Sequence, residues 1–408
     1  MFEKLPRTKV FRDPLYGYIE VDYKLIADLI DSKEVQRLRR IRQLSGVSMV
    51  FQTAEHSRFT HALGAYHMAN LVLANVEGIE VLTEYERIVF LCAALLHDVG
   101  HGPYSHAFEN VLHTSHEAMT VKIILSKTTD VNHILSKYKG LAEDVAGIIA
   151  HSGKFPLIEA FVSSQLDVDR MDYLSRDAYL TGATYGTIDM HRLLRSMKVV
   201  DGKVLCRASG VNSIESYLMS RYHMYFQVYY HPVARSYELV LESIYERIKD
   251  LVMDDVAIDA NIKAFLNVVK NSDDVESYIE IDDAYVNGFI KQLCKSNDEV
   301  LNKLANNFNN RRLFKYLDLA NGPDPNYLKA LKNKASTNPY GKYYYYEIAV
   351  SAVAYLHFET SNDINSIKIL LPNGEIKDLE EYSNIVHSLV SSSYRKVERV
   401  YYYEGLDE

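Results

Sequence analysis

The sequence predicts a mainly α-helical fold. Apolar residues recur at three-to-four spacing through most of positions 1–250. Alternating apolar residues are confined to short stretches beside Gly, Pro and Asp-Gly turn signals. Residues 7–22 read as two extended stretches around Asp13-Pro14 and Gly17, which predicts a small hairpin ahead of the helices. Helical periodicity then covers Tyr23–Asp31, Lys33–Ser45, Ser57–Val76, Glu84–Asp98, Tyr104–Leu112 and His116–Leu125. It continues over Leu141–His151, Phe155–Ser163, Asp169–Thr181 and His191–Arg195. The dipeptide Asp201-Gly202 between Val199-Val200 and Val204-Leu205 predicts a two-residue hairpin. Long helices resume near Ser213 and run to about Val252, followed by acidic, Asn-rich helices to about Asn333 and a loop over Ala335–Lys342. Strands are expected at Tyr343–Val353 and Ser366–Leu371, with a turn at Pro372-Asn373-Gly374, one more short helix, and a closing strand at Arg395–Tyr403. The expected division is a helical core over 1–250, a helical extension over 251–335 and an appended α+β region over 336–408. No internal repeat or low-complexity tract interrupts it.

With 408 residues, 48% apolar and 24% charged, the chain has ample material for a large core and the composition of an ordinary globular protein. A net charge of −9 argues against a broad nucleic-acid or membrane-binding surface, so any phosphate recognition should be focal. Cys92, Cys206 and Cys294 are odd in number and scattered, which fits a reducing, cytoplasmic setting. Met1–Val10 lacks a signal-peptide apolar core, and the apolar run Ile88–Leu96 is too short to span a bilayer. Trp is absent while Tyr numbers 32, and a cluster over Tyr222–Tyr230 has the stacking area to line a pocket.

The chemistry concentrates at His97-Asp98, which closes that apolar run ahead of Val99-Gly100-His101-Gly102-Pro103. A carboxylate at a helix C-terminus is repelled by the helix dipole, by roughly 0.3–1 kcal/mol when exposed, so a positive partner is expected and a divalent metal fits. His61 and an aspartate from Leu166–Tyr173 can complete the ligand set. Arg58 and His61 share a helix face, where a guanidinium can hold phosphate beside the ion. His101 and His106 flank Pro103 at the start of the next helix. Asp169, Tyr173 and Asp177 share one face, the alternative being a solvated charged face with Asp172 paired to Arg176; Arg221, Tyr225 and Tyr229 share another. His116 and Glu117 begin a helix after Thr114-Ser115. Imidazole and carboxylate ligands leave the ion open among Mn²⁺, Fe²⁺, Mg²⁺, Zn²⁺, Ni²⁺ and Co²⁺. Such an ion activates water and neutralises charge at phosphorus, so phosphoester or phosphoanhydride hydrolysis is the expected reaction class. Gly147–Lys154 has the wrong spacing for a P-loop.

The stretches Glu55–Gly64, Leu96–His106 and Leu166–Leu174 resemble the HD-superfamily deoxynucleoside triphosphate triphosphohydrolases in order, spacing and flanking residues over roughly residues 7–240. The resemblance is to a bacterial-type member without a SAM domain, and it implies an HD-domain helical core. By that resemblance His61, His97, Asp98 and Asp169 bind the metal, and Arg58 contacts the α-phosphate. His101, His106 and His116 line the scissile bond as catalytic residues, His116 being the family's designated catalytic histidine, followed here by a further catalytic candidate, Glu117. Arg170, Tyr173, Asp177, Arg221, Tyr225 and Tyr229 correspond to triphosphate and sugar contacts, and Gln43 and Leu44 to the sugar-selecting edge. Lys9, Val10, Asp31, Gln36 and Arg39 match a GTP or dGTP activator site between subunits. A homo-oligomer, tetramer or dimer, is implied.

The implied reaction splits a dNTP into deoxynucleoside and inorganic triphosphate. The alternatives are an HD phosphohydrolase or phosphodiesterase for another nucleotide, and a nucleotide-sensing or nucleic-acid-binding module with an inert metal site. The basic run Arg37–Arg42 motivates the last, although a solvated helix face explains most such runs.

Overall fold

The computed structural model describes residues 2–352, 366–391 and 395–406. Within them helices dominate, and three small sheets sit at the margins. The N-terminal hairpin pairs Lys4–Asp13 with Gly17–Tyr23, with Gly17 supplying the positive φ of its turn. The core is built on the helices Arg58–Asn75, Glu84–Leu96, His116–Leu125 and Val168–Thr181, with Pro232–Met253 packed against His106–Leu112 and Ser45–Met49. Their starts follow from local chemistry. Thr83 and Glu86 form a capping box for Glu84–Leu96, the Ser115 hydroxyl accepts from the Ala118 N–H, and the Asp167 carboxylate accepts from the Arg170 N–H.

Two expected elements are corrected. The helix expected over Lys33–Ser45 ends at Arg37, passes through a 3₁₀ turn at Leu38–Arg40 and becomes extended at Ile41. The backbone there bridges Arg42 to Ser57, and the Arg37 side chain is buried while Arg39 and Arg40 stay exposed, so the run is only in part a solvated basic face. Its other charges are engaged too: Arg40 meets Asp282 and Arg42 meets Glu55. In the second case, the segment expected as a loop from Ala335 remains helical to Thr337, in a helix opened by the Asp324 cap and Pro325. The sequence pattern also passed over a helix at Asp130–Leu135 and strands at Lys315–Asp318 and Ile376–Asp378.

Two sheets tie the C-terminal region to what precedes it. Lys203–Arg207 pairs in parallel with Lys368–Leu370. Arg395–Tyr402 lies between Lys315–Asp318 and Tyr345–Ala352, antiparallel to both. Part of the strand expected over Tyr343–Val353 and part of Ser366–Leu371's approach fall at 353–365, outside the described residues. Among the described residues no helix is long and apolar enough to cross a membrane.

One close approach positions the centre of the molecule. The helices Arg58–Asn75 and Val168–Thr181 cross at Gly64, where an added methyl group would overlap the Asp172 carboxylate and crowd the Arg176 guanidinium. Both groups are buried, so neither can swing into solvent to make room. Gly64→Ala is therefore expected to cost about 1–3 kcal/mol through overpacking. The check is a lowered thermal midpoint in calorimetry.

Candidate active site

Three helices deliver three acceptor atoms to one point. His61 Nε2 lies 3.2 Å from His97 Nε2 and 3.1 Å from Asp169 Oδ1, and His97 Nε2 lies 3.4 Å from the same oxygen. The tautomers follow from the other ring nitrogens. His61 Nδ1 is 2.8 Å from Asp172 Oδ2 and His97 Nδ1 is 2.9 Å from the Ala94 carbonyl, and neither partner can donate. Each Nδ1 therefore carries a hydrogen, and with both rings neutral each points an Nε2 lone pair at the other. Two lone pairs and a carboxylate oxygen cannot share that space without a positive charge among them.

Electrostatics report the same demand. Burial opposes a charge on His61, yet the hydrogen bonds to Asp169 and Asp172 push its pKa up to about 10. Burial raises the Asp169 carboxyl, but His61 and His97 outweigh it and hold it well below the carboxylate range. A divalent ion answers the demand without a proton. Bonds of about 2.0–2.2 Å at right angles place neighbouring ligand atoms roughly 3 Å apart, close to the separations here. His61, His97 and Asp169 fit such an ion, and the hydrogen bonds from Nδ1 are the outer-shell contacts that orient metal-bound imidazoles.

Asp98 stands beside this trio, with Oδ2 at 3.7 Å from His61 Nε2 and Oδ1 at 3.5 Å from His97 Nε2. It also pairs with Arg58, and Oδ1 lies 3.3 Å from His101 Nε2. The positive partner expected at the helix end is thus partly Arg58 itself. Burial raises the Asp98 carboxyl, but His101, His97 and Arg58 hold it far below its ordinary value. Arg58 further donates to the Ser105 hydroxyl from Nε at 3.0 Å and from the terminal nitrogen at 2.8 Å.

A second group adjoins Asp98. The His101 and His116 rings stack with centroids 3.9 Å apart, and Glu109 reaches both, at 3.0 Å from His101 Nδ1 and 3.1 Å from His116 Nδ1. Burial, then Arg58, lowers the His101 pKa to about 4, so it is neutral at pH 7. Burial also opposes a charge on His116, but Glu109 raises its pKa above the ordinary value, so of the two rings His116 is the one that favours a proton. Glu117 is exposed, and among the described residues no hydrogen bond or ion pair joins it to the histidines. His106 opens the helix His106–Leu112, and its side chain lies outside those described.

The wall past Asp169 is aromatic and cationic. Tyr173 lies 6.4 Å from the His61 ring and 6.1 Å from Tyr229, which stands 5.3 Å from Tyr225. Tyr229 donates to Asp177 at 2.8 Å, and His56 meets the other Asp177 oxygen at 2.7 Å. Arg170 is held by Asp167 and the Ser164 carbonyl, and Arg221 donates to Gln165 at 2.7 Å. The Nε–H of each of these arginines is buried with no partner among the described residues. Gln43 and Leu44 lie across the Arg42–Ser57 bridge from His56, and Gln43 Oε1 is likewise buried and unpaired. On the outer surface Lys9 pairs with Asp31 at 2.9 Å. Gln36 links the Ile30 carbonyl to Arg39, whose guanidinium covers the Phe59 ring. Val10 is exposed on the neighbouring strand.

Several contributors carry no motif. Glu109 is three positions after His106 on a helix, a same-face spacing that was the only signal available. Asp172 pairs with Arg176 at 3.0 Å, but the pair is buried rather than on a solvated face, and Asp172 also receives His61 and the Tyr16 hydroxyl. Asp13 and Thr120 hold Arg176 and the His97 carbonyl through contacts that no local pattern announces.

Comparison with known proteins finds relatives along most of the chain. The HD domain family matches residues 58–177 and the HD associated region matches 188–337. An uncharacterized Bacillus subtilis protein, YwfO, is 39% identical over 99% of this chain and 94% of its own. The Dictyostelium discoideum homolog of the deoxynucleoside triphosphate triphosphohydrolase SAMHD1 is 30% identical, covering 76% of this chain. The chain spans only 60% of that relative's length. Among solved structures, a Bacteroides thetaiotaomicron phosphohydrolase superposes with a TM-score of 0.84 at 28% identity, over 97% of this chain and 100% of its own.

Asp172→Asn tests the orienting role. Removing the charged acceptor of His61 is expected to weaken Mn²⁺ binding by about 10–100-fold, read by calorimetric titration. Burial raises the Asp172 carboxyl, but Arg176 and His61 outweigh it and bring its pKa to about 2. A depressed carboxyl stabilises the fold above its unfolded pKa, about 4, and loses that contribution as pH falls toward 2. In metal-free protein the acid limb between pH 4 and 2 should therefore flatten in Asp172→Asn, as followed by circular dichroism.

Proposed function

We propose that this chain, which belongs to the HD-domain phosphohydrolase superfamily and carries the HD-associated region, hydrolyses deoxynucleoside triphosphates to deoxynucleoside and inorganic triphosphate. The convergence of His61 Nε2, His97 Nε2 and Asp169 Oδ1 beside Arg58 supports the reading most directly. A divalent ion bound by these residues with Asp98 would activate water and neutralise charge on a phosphoryl oxygen.

The protein's own groups supply the rest. Arg58 lies against Asp98 and would contact the α-phosphate as it is attacked. The Nε–H groups of Arg170 and Arg221 lack partners, and phosphate oxygens of a triphosphate would accept from both. Their positions around Tyr173 and Asp169 keep that recognition focal, as an acidic protein requires. Tyr173, Tyr225 and Tyr229 offer ring faces to the sugar and base, with Asp177 and Gln43 as polar partners. Cleavage breaks the bond between the α-phosphorus and the 5′ oxygen, and the leaving oxygen needs a proton. His116, with Nδ1 held by Glu109, delivers it from Nε2, and neutral His101 accepts the proton lost by the attacking water.

The Lys9, Asp31, Gln36 and Arg39 patch is the expected guanine-nucleotide activator site of a cytoplasmic homo-oligomer. Arg39 covers Phe59, the residue next to Arg58, so a ligand there would bear on the start of the metal-binding helix.

Purified protein with the four dNTPs and Mn²⁺ or Mg²⁺, with and without GTP or dGTP, should release deoxynucleoside and triphosphate in equal amounts, resolved by chromatography. Release of neither under any of these conditions defeats the reading. His116→Ala should lower kcat by about 10²–10⁴-fold with Mn²⁺ binding retained. A loss confined to KM would instead assign His116 to binding.

A further inference from the structure

The catalytic turn and the substrate edge are separate in sequence, and the HD-associated region joins them. Asp283 opens the helix Asp283–Leu293 and is buried. One carboxylate oxygen accepts the Tyr104 N–H at 2.9 Å, and the other accepts the Arg42 N–H at 2.9 Å. Tyr104 precedes Ser105, whose hydroxyl receives Arg58; Arg42 precedes Gln43 and Leu44. Two backbones from opposite sides of the site are thus spaced by a single rigid three-atom group.

Ordinary capping does not account for this placement. The neighbouring Asp282 already caps the helix, accepting the Tyr285 N–H at 2.9 Å. Nor is Asp283 placed for charge pairing, since it accepts from two backbone N–H groups while Arg40 goes to Asp282. Other ties run in parallel. The buried Arg37 guanidinium donates to the Ile281 carbonyl at 2.8 Å and to the His101 carbonyl at 2.9 Å, and the Tyr278 hydroxyl donates to the Gly100 carbonyl at 2.7 Å. Tyr104 and Ser105 both adopt positive φ, a conformation that non-glycine residues hold only under external restraint.

We propose that Asp283 is a positioning residue that sets the gap between the Arg42–Leu44 edge and the Gly100–Ser105 turn. It rests on the dNTP reading of that edge. Misplacement by a fraction of an ångström at such a gap lowers turnover without removing any group that touches substrate.

Asp283→Asn places an N–H₂ against one of two N–H donors, and Asp283→Glu keeps both acceptors one methylene farther out. Each is expected to lower kcat for dNTP hydrolysis by about tenfold or more, with bound Mn²⁺ unchanged. In Asp283→Asn, hydrogen exchange should quicken in peptides covering 41–44 and 100–105 but not elsewhere. Asp282→Asn, which keeps a capping oxygen, should leave turnover and exchange as they were. Should Asp283→Asn fail to fold, Asp283→Glu decides the matter, because a purely structural role predicts full turnover once that variant is folded and loaded. Unchanged kcat in a folded Asp283 variant, or unchanged exchange in Asp283→Asn, overturns the proposal. If the unaltered protein releases no triphosphate, the dNTP reading falls instead, and exchange alone judges the tie.

Discussion

Two imidazole nitrogens that face each other across 3.2 Å, beside a carboxylate oxygen, impose the constraint on which the rest of this structure depends. Such an arrangement is repulsive unless a cation lies within it. It persists because each ring is held from behind, by Asp172 for His61 and by the Ala94 carbonyl for His97. Asp172 is in turn fixed by Arg176, Asp13 holds Arg176, and the Tyr16 hydroxyl donates to Asp172. Gly64 leaves the room in which this buried network fits. Buried charges are tolerable here because each is paired and hydrogen-bonded, and removal of one partner would strand the next.

Charge is sorted around the centre in a way that separates chemical roles. Arg58 neutralises Asp98 on one side, while Glu109 is shared by two stacked histidines on the other. Those histidines differ although they touch the same carboxylate. His101 is buried near Arg58 and is driven neutral, whereas Glu109 favours a proton on the more exposed His116. Two like groups whose environments pull their pKa values apart are suited to divide acid and base work, the roles proposed for this pair.

The C-terminal half of the chain is not a passenger. The Asp283 helix and the residues before it supply carbonyl and carboxylate acceptors to the loop carrying His101 and to the segment ahead of Gln43. The last strands are also woven into the sheets of earlier segments, as Cys206 opposite Ile369 and Tyr316 opposite Tyr401 illustrate. Long-range pairing of this kind couples the geometry of the site to the fold of regions that contribute no ligand.

Helix-forming periodicity, caps and the His-Asp motif were legible in the sequence because they depend on residues that are adjacent or three or four positions apart. The helices His116–Leu125 and Val168–Thr181 emerge where spacing and capping residues agree. The residue types at 58, 61, 97, 98 and 169 likewise announced a cation and a phosphate, since few other roles suit those side chains together. Only tertiary structure decided that Glu109 joins His101 to His116, that Asp172 orients His61, and that Arg37 is buried rather than solvated. Each of those outcomes rests on atoms from separate segments meeting at hydrogen-bond distance. Hydrogen bonding is short-ranged and directional, so no one-dimensional pattern records which distant partners it will join.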